Sequence, residues 1–222
     1  MNRAVALYQS SLGKKAVMAV TGIIGYGFLA AHMIGNLQAY PFFGGREALN
    51  AYAEFLRSTH GLLWLARGVL VTAVAMHIVA AYQLTRMSQT GRPVPYVKWN
   101  PAGGSDYASR TMRWSGPVVG LFLVYHLMHF TLGNAHPDFV SGDVYHNFVA
   151  GFQVWYVSLF YVVAMLVLGF HLYHGAWSMF QSLGLNNPKY NPWIRKLAAL
   201  ITFVIVAGNI SMPLAVLAGI IS

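Results

Sequence analysis

The chain has 222 residues, 57% of them hydrophobic and only 9% charged, far below the roughly 25% charged residues of ordinary soluble domains. That balance describes an integral membrane protein and leaves no room for a soluble catalytic domain, while a formal net charge of +9 raises nucleic acid as a partner until the charges are located. The absence of cysteine excludes disulfides, thiolate metal sites and covalent CxxCH haem attachment, which leaves histidine, methionine and oxygen as ligands.

A basic leader, Met1 to Lys15, precedes a first apolar span at 16–38. That span is too long for a signal peptide and lacks a cleavage site, so it reads as an uncleaved helix. Further spans fall at 62–86, 112–134, 152–183 and 193–221. A bilayer core of roughly 30 Å takes about 20 helical residues. No repeat with a period of 20–50 residues, low-complexity tract or soluble linker interrupts them, so the expectation is one all-α membrane domain over 1–222 with five transmembrane helices.

Charge orients the spans, because cytoplasmic loops hold the excess of lysine and arginine. The leader, the second connection and the fourth connection carry Arg3, Lys14, Lys15, Arg86, Arg92, Lys98, Arg110, Arg113, Lys189, Arg195 and Lys196 against Asp106 alone. The other side has Arg46, Arg57 and Arg67 against Glu47, Glu54, Asp138 and Asp143. The N-terminus is therefore expected in the cytoplasm and the C-terminus outside. Positive-inside charge then accounts for the basicity, and nucleic acid is not expected.

Intramembrane histidine is costly and marks a functional site by default. Four spans carry it: His32, His77, His126 with His129, and His171 with His174. At about 1.5 Å per residue, His77 and His171 share a cytoplasmic level while His32 and His126 share an outer one. Two neutral imidazoles from facing helices can hold the axial positions of a planar iron porphyrin, so two levels suggest two b-type haems in a bundle of helices one to four. Glycines at 22, 25, 35, 116, 120, 169 and 175 leave backbone bare for a macrocycle or for close helix packing. At this stage spacing alone does not choose His126 over His129, or His171 over His174, since residues three apart share a helix face. His60, His136 and His146 fall at the outer surface, where a solvated or interfacial role is the default reading.

Several segments also resemble a known family. They are Gly13-Lys14-Lys15, His32-Met33-Ile34-Gly35-Asn36, Asn50-Ala51-Tyr52-Ala53, His77-Ile78-Val79, Ser109 to Gly116, and Gly169 through Trp177-Ser178. Together they are similar to the cytochrome b subunit of the succinate dehydrogenase/fumarate reductase family, in its single-chain, five-helix, two-haem form. The resemblance implies a membrane anchor in the bacterial inner membrane for a flavoprotein subunit and an iron-sulfur subunit on the cytoplasmic side. Electrons would pass through two haems b to or from a quinone, expected to be menaquinone, in a complex of the tricarboxylic acid cycle; the chain itself would not act on the dicarboxylate. It implies His32, His77, His126 and His171 as iron ligands, with Gly25, Arg67, His129 and His174 in the haem or quinone surroundings. Some relatives carry an acidic residue two positions before the fourth-span ligand; this chain has Gly169, so that proton path is not implied here.

A quinone exchanges two protons with each turnover and needs a titratable group open to water. Glu54, in the connection from Tyr40 to His60, is the candidate. Two other functions fit the histidines less well: the cytochrome b anchor of a hydrogenase or formate dehydrogenase, and a histidine-relay transporter, for which broken helices or an inverted repeat are expected.

Overall fold

A computed structural model describes residues 7–91 and 107–222. Among the described residues there is no strand, and seven helices of ten or more residues appear: α1 (Ser11–Asn36), α2 (Gly45–Ser58), α3 (His60–Thr90), α4 (Tyr107–Phe130), α5 (Val144–Gln153), α6 (Trp155–Ser182) and α7 (Asn191–Leu217). Two 3-10 turns, Leu37–Ala39 and Pro41–Phe43, join α1 to α2. The segment Ser11–Ala39 and helices α3, α6 and α7 are long and apolar enough to cross a membrane. Helix α4 has 24 residues, roughly 36 Å at 1.5 Å per residue. Arg110 and Arg113 near its start, with His126 and His129 near its end, make it the most polar of the long helices.

The spans expected from the sequence shift at their edges. The stretch 152–183 is two helices, because Val154 is extended (φ −76, ψ 103) between α5 and α6. There the fully buried Ser158 donates its hydroxyl to the Phe152 carbonyl at 2.6 Å, occupying an acceptor that the end of α5 would otherwise leave unmade. The third long helix is described from Tyr107 and ends at Phe130, ahead of Gly133 at φ +80. Residues 92–106 of the basic second connection and 1–6 of the leader lie outside the described residues. The rest of the leader folds back on α1: a Cβ at Gly13 would lie 2.1 Å from the Leu7 carbonyl oxygen. Ser10 caps the helix by accepting from the Gly13 amide, and the buried Lys14 donates to the Tyr8 carbonyl at 3.2 Å.

Helices α1 and α6 pack against one another at the centre, with α3 mainly on α1, α4 on α6, and α7 on α6 and α1. Lipid is as apolar as a protein core, so close backbone approach and polar cross-links stabilise such packing rather than burial alone. Gly208 shows the approach, since a Cβ there would meet the Met33 sulfur at 2.4 Å. Gly169 does likewise, 3.1 Å from Val206. The Tyr26 and Thr202 hydroxyls, 3.0 Å apart, link α1 to α7.

The two shorter helices, α2 and α5, pack together across the end of the bundle where α1 and α4 finish. Asp143 caps α5 by accepting the His146 amide at 3.0 Å, and it also takes Asn50 at 2.9 Å and the Arg46 guanidinium. The His146 amide bond, reinforced by Asn50 and Arg46, holds its carboxyl well below the usual range, at about 2.

Candidate functional site

The rings of His77 on α3 and His171 on α6 have centroids 6.2 Å apart, at an interplanar angle of 58°. His32 on α1 and His126 on α4 stand 5.8 Å apart with perpendicular rings. A metal–imidazole bond is about 2.0 Å and the ring centre lies roughly 1.1 Å beyond the nitrogen, so two rings on opposite sides of one ion have centroids about 6 Å apart. Both pairs meet that spacing, and any rotation of a ring about the shared axis is compatible with it. Neither pair joins helices that are main packing partners, so each imidazole reaches across a gap. A Cβ added at Gly25, Gly27, Gly120 or Gly175 would meet no atom within 4 Å.

A hydroxyl stands beside Nδ1 of three of the four rings, and at His77 it fixes which nitrogen is presented. Thr21 spends its proton on the Val17 carbonyl at 2.8 Å, so its oxygen accepts from His77 Nδ1–H at 3.1 Å and leaves the Nε2 lone pair bare. His171 Nδ1 lies 3.4 Å from the hydroxyl of fully buried Ser115. His126 Nδ1 lies 3.3 Å from the Tyr161 hydroxyl. Anchoring the second nitrogen is how proteins orient a metal-binding imidazole. His32 differs: its Nε2 is 3.0 Å from the Asn36 amide, one turn on along the same helix. Ligation through that nitrogen requires the flexible Asn36 side chain to release it.

The inner geometry repeats. His77 sits against the dipeptide Thr21-Gly22, with a Gly22 Cβ 3.7 Å from its Cε1, and His171 against Ser115-Gly116, with a Gly116 Cβ 3.8 Å from its Cε1. Each hydroxyl precedes its histidine by 56 residues. His126 also follows His32, and His171 follows His77, by the same 94 residues. At that offset Met18 matches Met112, Phe28 matches Phe122, Leu29 matches Leu123, and Leu65 matches Leu159. The matched phenylalanines pack on the matched histidines, Phe28 on His32 at 5.3 Å and Phe122 on His126 at 5.9 Å. Segments α1–α3 and α4–α6 are thus built on one plan of long, short and long helix, and each histidine pair takes one member from each half. Thr21 and Ser115 escape a reading of single spans; the 94-residue offset is the signal that finds them.

The remaining residues fall as follows. His129 is fully buried and turned from the His32–His126 pair, with Nδ1 3.0 Å from the Tyr161 hydroxyl and its ring stacked on His136 at 4.8 Å. His136 is half-buried: it donates to the Asn147 carbonyl at 2.7 Å and accepts the Asp138 amide at 3.0 Å. His146 meets Asp138 at 2.9 Å, and His60 folds onto the Ser58 carbonyl at 2.8 Å. His174 lies three residues beyond His171 on α6. Arg67, exposed on α3, places its guanidinium over the Trp64 ring at 5.0 Å rather than toward Glu54. Glu54 is exposed on α2. Among the described residues no cluster of three or more His, Cys, Asp or Glu could hold a metal; a site with two imidazoles falls outside that class. No protein-family model, curated protein or solved structure matches the chain.

Proposed function

We propose that the chain is the dihaem cytochrome b membrane anchor of a succinate dehydrogenase/fumarate reductase complex, with His32 and His126 holding one haem b and His77 and His171 the other. The observation that carries this reading is the pair of imidazole couples near 6 Å, three of whose four rings have Nδ1 beside a hydroxyl. Iron held by two such rings supplies reversible one-electron transfer. The chain's own part is to keep the imidazoles neutral, oriented and shielded. Thr21 and Ser115 lie eleven residues before His32 and His126, so the two levels are about 16 Å apart along the helices.

In this reading α4 is a fifth crossing and the basic connections face the cytoplasm of a bacterial inner membrane, where the flavoprotein and iron-sulfur subunits dock. The haem of His77 and His171 then lies nearer the incoming electrons, and the haem of His32 and His126 nearer the outer surface. A quinone, menaquinone being the expected type, reacts beside the outer haem, which gives that haem a purpose. Glu54 exchanges protons there, with Arg67 and Gly25 as neighbours of the haem or quinone and His174 as a neighbour of the inner haem.

A reduced-minus-oxidised spectrum with haem quantitation on the purified protein is the test. Two low-spin haems b per chain are expected, and a chain without haem bands, as in a histidine-relay transporter, overturns the proposal. Co-purifying flavoprotein and iron-sulfur subunits separate the succinate type from a hydrogenase or formate dehydrogenase anchor. For Glu54, the Glu54→Gln complex should lose quinone-coupled turnover at least tenfold while both haem spectra and succinate oxidation with an artificial acceptor survive. Unchanged quinone turnover removes Glu54 from the mechanism.

A further inference from the structure

The two halves of the chain depart from their shared plan beside the His32–His126 pair. At the 94-residue offset, Arg67 corresponds to Tyr161 and Gly35 to His129. Arg67 is exposed and lies over Trp64, and Gly35 is covered by the Tyr52 ring. In the second half, Tyr161 is almost fully buried and its hydroxyl stands between two imidazole nitrogens, His126 Nδ1 at 3.3 Å and His129 Nδ1 at 3.0 Å. His129 is held from behind. It stacks on His136, and a Cβ at Gly151 would come within 2.9 Å of its Cε1 and 3.1 Å of its Nε2.

Proton counting gives the arrangement a direction. If His126 binds iron through Nε2, its one proton is on Nδ1 and is donated to the Tyr161 oxygen. Tyr161 then offers its own proton to His129 Nδ1, which leaves the His129 proton on Nε2, a fully buried atom with no hydrogen-bond partner. An unmet buried donor is destabilising, and a protein that keeps one inside so tightly packed a site needs a reason. A chain of hydrogen bonds running outward from His126 supplies it, because each bond polarises the next and adds negative character to the ligand ring.

We infer that Tyr161, backed by His129, is a positioning residue that tunes His126, and through it the iron held by His32 and His126, while His32 has no counterpart of this network. The inference rests on the function proposed above and concerns only the second half's share of the outer site.

The test is potentiometric titration of both haems in the assembled complex. Strengthening the donor ring favours oxidised iron, so Tyr161→Phe should leave two low-spin haems but raise the midpoint potential of the outer one. A tenfold change in its redox equilibrium, typical of lost outer-shell support, reads as about 59 mV for a one-electron couple. The inner haem should not move. His129→Leu should shift the same haem in the same direction by less, and it decides the matter if Tyr161→Phe does not accumulate. Tyr26→Phe, which loses a half-buried hydroxyl bonded to Thr202 rather than to a histidine, should move neither haem. An outer potential unmoved in the variants, or both haems moving together, overturns the inference and spares the proposed function. A wild-type chain without haem overturns both.

Discussion

The His77–His171 pair and the His32–His126 pair draw their members from the same two halves of the chain, yet they are supported differently. At the first, each ring rests on a hydroxyl residue followed by glycine, Thr21-Gly22 on one side and Ser115-Gly116 on the other. At the second, His32 is engaged by Asn36 on its own helix, while His126 shares Tyr161 with a buried second histidine. The first level preserves the twofold plan in its hydrogen bonds, whereas the second keeps it only in the phenylalanines packed on its histidines. Under the function proposed above, a site that only relays electrons has no need of asymmetry, whereas one that also meets a substrate from one side does, and the effects expected below follow from that proposal.

The largest expected effect removes one level and tests whether the other stands alone. His77→Ala should abolish one low-spin haem, or convert it to high spin, and leave the second intact; a variant that keeps both low-spin haems breaks the pairing. The mirror substitutions are a finer probe. An alanine at Gly22 or Gly116 would place its Cβ in ordinary contact with the imidazole, 3.7 or 3.8 Å away, and should be accepted. Leucine adds three more carbons to the same gap, so Gly22→Leu and Gly116→Leu should each displace the ring and cost the His77–His171 haem. Equal losses in the two variants are expected from the shared plan, and haem content separates equal from unequal.

The smallest effect lies at the cap. Asp143 ties α2 to α5, and its carboxyl is depressed to about 2 against about 3.9 in an unfolded chain. A depressed acid contributes stability that is complete above its unfolded value and is lost as pH falls through the folded one. The difference in Tm between the protein and its Asp143→Asn variant should therefore be constant above about pH 5 and close progressively toward pH 2. The acid-sensitive part should be the spectrum of the haem beside the cap, before that of the His77–His171 haem.

Depth was the legible quantity. A helix converts residue number into height, so the pairings of His32 with His126 and His77 with His171 follow from counting, and the structure brings those same rings side by side. Azimuth was not legible. Spacing alone leaves His126 and His129 on one face, and only the packing of Tyr161, His136 and Gly151 turns the second ring aside. The break at Val154 was hidden because the residues around it are apolar on both sides, and hydropathy does not report a backbone angle. The twofold plan is faint in the sequence because its unit is 94 residues long and a few positions per helix carry it, among them those touching the histidines.

The equal offset has a consequence in time. A ribosome adds roughly 5–20 residues per second, so the 94 residues between His32 and His126 take about 5–20 s to make, and those between His77 and His171 take as long. The partner of His32 is synthesised first and that of His77 last. Until the sixth helix has been made, the first half must wait with at least one of its two rings unmated.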